Sequence, residues 1–285
     1  MSHKKLVIMT RKTNEYFIKT ITASAKKLNI DLYLFGPDDF ELPLKKFLEL
    51  KNEFPDPKET VIWNRISGTT YDDYDLLVLQ SWQNLGAELL NSLEVHETYR
   101  NKYKQYIMLD SAGIPLLDTY YLPNINLKML DSQGPFVAKT LRGAKGKGVI
   151  KLENKEDLKD FLTLTQSMGD KRFLIQNFVK YEEEHRVLVL KGKILGHYIK
   201  KNNQGHWKHS LAHAQWHRAE STSKEMIEIV NKVHELDQKF FFAVDFINKN
   251  NELFVLEVNL CPGVEGPDAI EENSLLEKVL AAITL

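Results

Sequence analysis

The segment Ala243–Gly263, AVDFINKNNELFVLEVNLCPG, constrains the fold more than any other part of the chain. It reads as two short apolar strands, Ala243–Ile247 and Leu253–Val258, joined by a polar turn at Asn248–Asn251. Three oxygen-bearing side chains lie in or directly after these strands: Asp245, Glu257 and Asn259. A carboxylate inside an apolar strand is unfavourable unless a positive group compensates it. The segment therefore predicts a β-hairpin whose acidic side chains require a positive partner.

The position of Asp245 relative to the other two side chains depends on the turn. Glu257 and Asn259 are two residues apart in a strand and therefore share a face. A plain four-residue turn would pair Ile247 with Glu252 and put Asp245 on the opposite face. A turn of odd length or a β-bulge would bring Asp245 opposite Glu257, and the three groups would then form a magnesium site completed by water and phosphate oxygens. The alternative for this stretch alone is an edge hairpin with one face in water.

The composition of the chain excludes several classes of protein. A formal net charge of −1 over 285 residues predicts neither nucleic acid nor an anionic membrane as a partner. The single cysteine, Cys261, excludes an intrachain disulfide and favours a reducing, cytoplasmic setting. The apolar run near the N-terminus, Leu6–Met9, is too short for the core of a signal peptide, and no run approaches the length of a membrane span.

The order of apolar runs predicts a small α/β layer in residues 1–96. Its predicted elements are a strand at Leu6–Met9, a helix at Ile18–Leu28, a strand at Leu32–Phe35, and further strands at Val61–Trp63 and Leu76–Leu79. The first strand is followed by the sequence TRKTNE instead of a glycine-rich turn. Nucleotide binding is therefore not expected in this first unit.

Two further units follow in residues 97–179 and 180–285. In the first of these the predicted elements are a helix at Tyr99–Ala112, strands at Phe136–Lys139, Val149–Leu152 and Phe173–Val179, and a helix at Asp157–Leu164. In the second they are a hairpin of Arg186–Leu190 with Ile194–Ile199, a helix at Lys224–Gln238, the hairpin of Ala243–Ile247 with Leu253–Val258 (the acidic hairpin) and a terminal helix. The chain is therefore expected to contain three α/β units in series.

The loop Arg142–Val149, RGAKGKGV, has the composition of a phosphate-binding lid. Its three glycines let backbone amides approach a polyanion, and Val137–Leu152 contains five cations and no acid. Gly143 and Gly148 have Walker spacing, but Val149-Ile150 stands where Lys-Ser/Thr is required, and the glycine spacing of kinases also fails. The alternative is a flexible basic hairpin loop.

Four further basic side chains are candidates for binding an anion. Lys139 ends the apolar strand PFVAK, where a partly shielded ammonium is strong toward phosphate oxygens. Lys102 lies among polar residues and by itself indicates a solvated lysine. Arg186 and Lys200 lie at the start and end of the second predicted hairpin. Arg186 offers a fork for phosphate or carboxylate, or a surface ion pair with Glu182–Glu184.

Four histidines raise the question of a zinc site: His206, His209, His213 and His217. No cysteine or carboxylate is interleaved with them, and the segment is polar throughout. A solvated or substrate-facing loop is therefore favoured over a zinc site.

Together these motifs resemble those of the ATP-grasp superfamily, and within it the RimK-like carboxylate–amine ligases. The matches run from about Asn64 to Gly266, in the order and spacing of the family. They are Trp63-Asn64-Arg65, Asn101-Lys102 before Ala112–Pro115, PFVAK with its glycine loop, Gln176–Val179, Glu184-His185-Arg186, Asp245, Glu257–Asn259 and Pro262-Gly263. The resemblance implies an α/β (α+β) ATP-grasp fold with an N-terminal α/β pre-grasp domain (1–96), a central lid domain (97–179) and a C-terminal metal-binding domain (180–285).

The resemblance also implies a nucleotide site between the central and C-terminal domains. Lys102 and Lys139 would contact ATP phosphates under the glycine loop, Gln176–Val179 would bind adenine, and Glu184 would be a nucleotide-contacting acid. The full implied set is Lys102, Lys139, Gly143, Gly146, Gly148, Gln176, Asn177, Phe178, Val179, Glu184, Lys208 and Ser210.

The remaining implied roles concern the metal and the reaction. Asp245, Glu257 and Asn259 would hold two Mg²⁺ ions, with Mn²⁺ as an alternative. Arg186 and Lys200 would be catalytic and would stabilise charge on the transferring phosphoryl group and on the following oxyanion. The implied reaction joins a carboxylate to an amine through an acylphosphate, with ATP, an amino acid or peptide or small carboxylate, and an amine acceptor as partners. Homo-oligomer formation stays open.

The chain departs from the family pattern after the second hairpin. The family has an arginine and then Gly-x-Phe-Arg-Ser-Asn, whereas this chain has Lys200 and then Gly205–Ser210, GHWKHS. A guanidinium fork and an amide are thereby lost, so the substrate is expected to differ from a glutamate added to a protein tail. Two alternative functions stay open: an ATP-grasp kinase that phosphorylates a hydroxyl, and a non-catalytic ATP-binding protein.

Overall fold

The computed structural model describes residues 5–11, 14–51, 53–68, 73–121, 127, 130, 132–143, 146–169, 172–202 and 214–283. Within these ranges the strands form three sheets, and helices pack against them. The predicted α/β (α+β) class is therefore confirmed. Each sheet lies within one of the three predicted units, while the domain boundaries at 96/97 and 179/180 stay predictions.

The first sheet is parallel and is formed by the N-terminal part of the chain. Its strands are β1 (Lys5–Met9), β2 (Leu32–Phe35), β3 (Thr60–Asn64) and β4 (Glu88–Leu89), in the order β2-β1-β3-β4. Its helices are α1 (Glu15–Lys27), α2 (Leu44–Leu50) and α3 (Tyr74–Asn84). The side chain of Asn14 accepts a hydrogen bond from the backbone N–H of Phe17 at 3.1 Å and so caps α1.

The expectation of a strand at Leu76–Leu79 is wrong, because this run lies in α3. The buried residues of α3 are Asp75, Leu76, Val78, Leu79 and Trp82, whereas Leu77 is 55% exposed. Burial therefore recurs at intervals of three and four residues, which is the pattern of a helix and not the alternation of a strand. Trp82 lies outside the apolar run, so the run alone was too short to show this period.

The region between the first and second sheets contains α4 (Leu93–Tyr99) and α5 (Lys102–Ser111). The single helix predicted at Tyr99–Ala112 begins too early. The side chain of Asn101 accepts hydrogen bonds from two backbone N–H groups of the next turn, at 3.0 and 3.2 Å, and this cap starts a new helix. Gly113, with φ 65°, lies just beyond the end of that helix as expected. Lys102 is thereby placed in the first turn of α5.

The second sheet is antiparallel and carries the glycine-rich loop. Its strands are β5 (Thr119–Tyr121), β6 (Phe136–Thr140), β7 (Val149–Leu152) and β8 (Phe173–Asn177), in the order β5-β8-β6-β7. Helix α6 (Lys155–Ser167) follows β7. The glycine loop joins β6 to β7, so it lies at one end of this sheet, as the sequence predicted.

The third sheet is antiparallel and contains the acidic hairpin. Its strands are β9 (Glu183–Leu190), β10 (Lys193–Asn202), β11 (Ala214–Arg218), β12 (Phe241–Lys249) and β13 (Glu252–Asn259), in the order β11-β10-β9-β12-β13. Its helices are α7 (Lys224–Glu235), α8 (Glu265–Asp268) and α9 (Leu275–Ala281). Strand β13 is at one side of the sheet, and its outer edge has a single parallel bridge, between Val255 and Leu116, in place of a full neighbouring strand.

The first and third sheets share a core. Trp63 of β3 contacts the rings of Phe240 and Phe241 edge-on, both at 6.1 Å between centroids. Beside this contact, Arg65 Nη2 donates a hydrogen bond to the carbonyl oxygen of Pro262 at 2.8 Å. The end of β3 therefore lies against the segment that follows β13. In the part of the chain that the structure describes, no helix is both long enough and apolar enough to cross a membrane.

Candidate active site

The turn of the β12–β13 hairpin is tighter than the predicted Asn248–Asn251. It uses two residues, Asn250 and Asn251, which both adopt left-handed backbone conformations with φ of 51° and 65°. Two-residue turns of this kind match the twist of the flanking strands and favour asparagine. The strands consequently extend to Lys249 and Glu252, which are paired.

A β-bulge in this hairpin decides which side chains meet. Asp245 lies opposite Glu257, whereas the next residue of β12, Phe246, lies opposite Val255. Leu256 is therefore the extra residue of β13. Without it the two-residue turn would place Leu256 opposite Asp245 and turn Glu257 to the other face. The requirement for a bulge or an odd turn, predicted from the sequence, is confirmed.

Charged side chains from four strands share one face of the third sheet. Arg186 on β9 lies opposite Asp245 on β12, which in turn lies opposite Glu257 on β13. Lys200 on β10 lies opposite Glu184 on β9. Glu184 and Arg186 are two residues apart and so point to the same side. The register therefore gathers all five groups on one surface.

Arg186 and Asp245 form a buried bidentate ion pair. Nε donates to Oδ1 at 2.7 Å and Nη2 donates to Oδ2 at 2.8 Å, while Nη1 donates to the carbonyl oxygen of Gly263 at 3.4 Å. Burial would lower the pKa of Arg186, but the adjacent Asp245 raises it above its usual range. The alternative of a surface ion pair with Glu182–Glu184 is wrong, because the strand register puts Asp245 directly across from the guanidinium.

Lys200 and Glu184 form a second buried pair beside the first. Nζ of Lys200 lies 3.3 and 3.4 Å from the two carboxylate oxygens of Glu184. Burial raises the pKa of Glu184, and the charge of Lys200 opposes that rise without cancelling it. This pair therefore places a buried ammonium group and a buried carboxyl group beside the Arg186 guanidinium.

Asn259 contacts both of the other predicted metal ligands. Nδ2 of Asn259 donates to Asp245 Oδ2 at 2.8 Å and to Glu257 Oε1 at 3.0 Å. Lys102 Nζ lies 3.6 Å from Glu257 Oε2. Burial alone would raise the pKa of Glu257. The charge of Lys102, the hydrogen bond from Asn259 and the charge of Arg186 together outweigh burial and lower this pKa. Glu257 is therefore held as a carboxylate.

These side chains fit a hard divalent cation. Two carboxylates and an amide carbonyl are the oxygen donors that Mg²⁺ accepts from proteins. This set contains only two acidic side chains, and among the described residues no group of three or more His, Cys, Asp or Glu side chains could hold a metal. The third donor of the predicted site is therefore the amide of Asn259, which can offer a cation only its Oδ1.

Two lysines approach this surface from outside the third sheet. Lys102 Nζ donates to the carbonyl oxygen of Gly143 at 2.9 Å, so it joins the glycine loop to Glu257 and is not the solvated lysine that its local sequence indicated. Burial lowers the pKa of Lys139 to about 8, although the nearby Glu257 and Glu184 act to raise it. Lys139 is half-buried, and its ammonium is only partly screened from phosphate oxygens by water.

The glycine loop is packed closely around Thr140 at the end of β6. Thr140 Oγ1 donates to the carbonyl oxygen of Arg142 at 2.7 Å. A Cβ at Gly148 would collide with that hydroxyl, and Gly148 also has a left-handed φ of 72°. A Cβ at Gly143 would lie 2.9 Å from the same oxygen. Gly146, with φ 70°, has open space around it. Two of the three glycines are therefore required sterically.

The predicted adenine segment Gln176–Val179 begins on β8, beside Lys139. Lys139 lies opposite Leu174 on the neighbouring strand, so Gln176 shares its face of the second sheet. Gln176 Nε2 donates to Thr119 Oγ1 at 2.7 Å. Phe178 N donates to the carbonyl oxygen of Pro135 at 2.9 Å. The buried Oδ1 of Asn177 accepts no hydrogen bond from any described residue.

Two predicted nucleotide contacts, Lys208 and Ser210, lie outside the described residues. Three of the four histidines weighed as a zinc site lie outside them as well: His206, His209 and His213. Their predicted roles are therefore untested. The other predicted residues all lie at or between the second and third sheets.

Sequence reasoning missed two residues that contact this site. Asp73 pairs with Arg142 of the glycine loop, and Gln105 of α5 contacts the backbone of β13. Asp73 directly precedes α3, where an acidic residue is the usual sign of a helix start. Gln105 carried no signal, because a glutamine on a helix is ordinarily exposed.

Residues 100–283, well over half of the chain, match the family model of the RimK-like ATP-grasp domain. The chain belongs to the RimK-like ATP-grasp family. Curated relatives of this RimK-like chain include ribosomal protein bS6–L-glutamate ligases. The one from Shigella flexneri serotype 5b is 23% identical over 205 residues, covering 70% of this chain and 68% of the relative. The one from Escherichia coli O81 is 23% identical over 219 residues, covering 75% and 73%.

Solved structures share the ATP-grasp fold over nearly the whole chain. The ATP-grasp ligase PsnB, in complex with a precursor variant, Mg and ADP, has a TM-score of 0.72 at 14% identity and covers 98% of this chain and 97% of its own. The RimK domain protein from Sphaerobacter thermophilus has a TM-score of 0.70 at 15% identity, with 99% of both chains covered. D-alanine–D-alanine ligase from Bacillus anthracis, with ATP, has a TM-score of 0.68 at 20% identity, covering 99% and 92%. The predicted family and fold are confirmed.

Proposed function

We propose that this chain is an ADP-forming ligase that uses ATP and Mg²⁺ to join a carboxylate to an amine through an acylphosphate. The single observation that carries the proposal is the row Arg186–Asp245–Glu257 on the third sheet, with Lys200 and Glu184 beside it. It combines hard oxygen ligands with buried cations on one surface. A protein that only bound ATP would not need both. The family match and the ligase names of the relatives support the same class of reaction.

The nucleotide is proposed to lie between the second and third sheets, in a central domain (97–179) and a C-terminal domain (180–285). Lys102 and Lys139 bind its phosphates. Both ammonium groups lie near Glu257, so they are directed toward the metal–phosphate region. Gly143, Gly146 and Gly148 bring backbone N–H groups over the phosphates. The adenine contacts Gln176–Val179, and Glu184, Lys208 and Ser210 complete the nucleotide site.

Asp245, Glu257 and Asn259 are proposed to hold two Mg²⁺ ions, with Mn²⁺ as an alternative. Bound there, the ions would neutralise charge on the phosphates and orient the γ-phosphoryl group. Asp245 would then serve both the cation and Arg186: both of its oxygens accept hydrogen bonds from the guanidinium, and Oδ2 also faces Asn259.

The reaction proceeds in two steps that this surface can stabilise. A carboxylate oxygen of the acid substrate attacks the γ-phosphorus, the bond to the β-phosphate oxygen breaks, and ADP leaves. The amine nitrogen then attacks the acyl carbon, the carbon–oxygen bond to phosphate breaks, and the amine gives up a proton. Arg186 stabilises charge on the transferring phosphoryl group, and Lys200 stabilises the oxyanion of the second step. Positioning supplies most of the rate, since phosphoryl transfer requires little covalent help from protein.

The substrates are proposed to be an amino acid or peptide, or a small carboxylate, together with an amine acceptor. The named relatives act on ribosomal protein bS6 and glutamate. This chain has Lys200 and the sequence GHWKHS where the family carries an arginine and an arginine-containing loop. A different acceptor is therefore expected. A cytoplasmic location and homo-oligomer formation stay predictions.

A phosphate-release screen tests the proposal. The purified chain is given ATP, Mg²⁺ and pairs of amino acids and peptides, and inorganic phosphate is measured. Release that requires both an acid and an amine, with a new amide in the product, supports the ligase. Stable phosphorylation of an alcohol would identify a kinase. Tight ATP binding without turnover on any pair would identify a non-catalytic binder. Glu257→Gln, which removes a predicted metal ligand, is the negative control.

A further inference from the structure

Helix α5 covers the outer edge of the strand that carries the predicted metal ligands. Three of its side chains contact three consecutive residues of β13. Tyr106 Oη donates to the carbonyl oxygen of Leu256 at 2.7 Å, Lys102 Nζ lies 3.6 Å from Glu257, and Gln105 binds Val258. An edge strand has backbone groups that no neighbouring strand can satisfy. Side chains of α5 take the place of that strand.

Gln105 makes the pairing that a neighbouring strand would make. Its Oε1 accepts a hydrogen bond from Val258 N at 2.8 Å, and its Nε2 donates to the carbonyl oxygen of Val258 at 2.9 Å. The same Nε2 donates to the carbonyl oxygen of Tyr99 at 3.3 Å. A carboxamide presents a donor and an acceptor side by side, as the N–H and C=O of a single residue in an antiparallel β-ladder do. Gln105 is 1% exposed, so water cannot replace these bonds easily.

The residue that Gln105 holds lies between the two ligands on β13. Glu257 and Asn259 flank Val258, and fixing both backbone atoms of Val258 restricts the direction of both side chains. The bulge at Leu256 interrupts the ladder to β12 directly before Glu257, and Gln105 adds a restraint on the opposite edge of the strand. Tyr106 satisfies the carbonyl of the bulged residue itself.

The same helix carries a predicted phosphate-binding lysine. Lys102 precedes Gln105 by three residues, so the two lie on one face of α5. We infer that Gln105 is a positioning residue, which sets the metal ligands Glu257 and Asn259 in register with Lys102 through the backbone of Val258. The inference rests on the proposed function, because it assigns Gln105 to the same metal–nucleotide site.

Gln105→Met tests this role, because methionine has a similar length and volume but cannot pair with Val258. The matched control is Asn91→Leu. Asn91 is another buried amide, whose Oδ1 accepts a hydrogen bond from Phe240 N at 2.9 Å, directly before β12. Both variants remove a buried amide-to-backbone contact, and only one of them touches the backbone between the ligands.

Two measurements on the full chain separate positioning from general stability. The first is hydrogen–deuterium exchange of a peptide that contains Val258; the inference expects faster exchange in Gln105→Met and wild-type exchange in Asn91→Leu. The second is calorimetric binding of ADP over a series of Mg²⁺ concentrations. There Gln105→Met should raise the half-saturating Mg²⁺ concentration by about tenfold or more, and Asn91→Leu should change it by less than about twofold.

The outcomes distinguish this inference from the proposed function. Unchanged exchange at Val258, or a Mg²⁺ shift no larger than that of Asn91→Leu, overturns the role of Gln105. A wild-type chain that fails to bind ADP with Mg²⁺ overturns the proposed metal–nucleotide site and with it the assigned role, even if exchange shows that Gln105 holds Val258. If Gln105→Met does not fold, Tyr106→Phe removes the neighbouring bond to Leu256 and should move both readouts in the same direction; wild-type values in that variant overturn the inference.

Discussion

Asp73 accepts two hydrogen bonds from the guanidinium of Arg142, from Nη1 at 2.6 Å and from Nη2 at 2.8 Å. The pair joins residues 69 positions apart, the start of α3 and the glycine loop. Arg100 also donates to Asp73 at 2.7 Å. Burial would raise the pKa of Asp73, but the two arginines outweigh it and lower the pKa. The first unit of the fold thereby holds the loop that is proposed to cover the phosphates.

Asp73→Asn should loosen the glycine loop without disturbing the backbone of α3. Asp73 has a left-handed φ of 48°, which asparagine tolerates well. We expect a loss of about 1 kcal/mol in the free energy of unfolding, because the carboxylate is partly exposed, and faster hydrogen–deuterium exchange at residues 141–148. Glu277→Gln is the control, since it removes a 2.7 Å ion pair with Lys27 far from the loop. Equal exchange in the two variants would contradict the prediction.

The catalytic efficiency with ATP, kcat/KM, should fall as the pH rises through about 8. Burial lowers the pKa of Lys139 to about 8, so the side chain is charged below this pH and neutral above it. Only the charged form attracts phosphate, so kcat/KM for ATP should decline from about pH 7.5 to about pH 9. In Lys139→Arg the decline should disappear, because arginine keeps its charge over this range.

The control for this pH profile is Lys224→Arg, which alters an exposed lysine paired with Glu228 at 3.8 Å on α7, far from the second sheet. That variant should retain the wild-type decline. A decline that persists unchanged in Lys139→Arg would assign the titration to another group.

Arg186→Met should destabilise the fold and strongly reduce turnover. The substitution leaves Asp245, 1% exposed, without its bidentate partner. We expect a loss of about 3 kcal/mol in the free energy of unfolding, measured with urea, and a fall of about a thousandfold in kcat. Added Mg²⁺ should recover part of the stability, because a cation at Asp245 replaces the lost charge.

Arg218→Met provides the comparison, since Arg218 is exposed and its buried partner Glu271 keeps the hydrogen bond from Tyr198 and the pair with Lys278. Its effect on unfolding should stay below about 1 kcal/mol. If Mg²⁺ stabilised both variants equally, Asp245 would not be a metal ligand.

Glu257→Gln should leave the fold nearly intact and reduce ATP turnover by about a hundredfold or more. Glutamine has the same shape as glutamate but loses the charge that a cation and Lys102 require. Initial rates over a range of Mg²⁺ concentrations are the measurement. Glu252→Gln, at the exposed end of the same strand, should behave like the wild type. Wild-type rates in Glu257→Gln would remove this residue from the metal site.

Much of the fold was accessible from local sequence patterns. The β12–β13 hairpin, the strand before the glycine loop and the hairpin at Lys191–Gly192 follow from alternation and turn residues, which act over a few positions. Two errors have local causes as well. Leu76–Leu79 was too short to distinguish helix from strand, and Asn101 ended one helix and started another inside an apparently continuous pattern.

The sequence by itself determined which chemical groups are present and in what order, including Asp245, Glu257 and Asn259, and it showed that a shared metal site required a bulge or an odd turn. It could not determine which cation meets which acid. Arg186 pairs with Asp245, 59 residues away, and not with the acids beside it, because strand register and not sequence distance places side chains opposite one another. The support from Gln105 likewise exists only after a helix packs on an edge strand. Such pairings depend on the tertiary structure, since only packing brings distant groups together and excludes the water that would otherwise satisfy them.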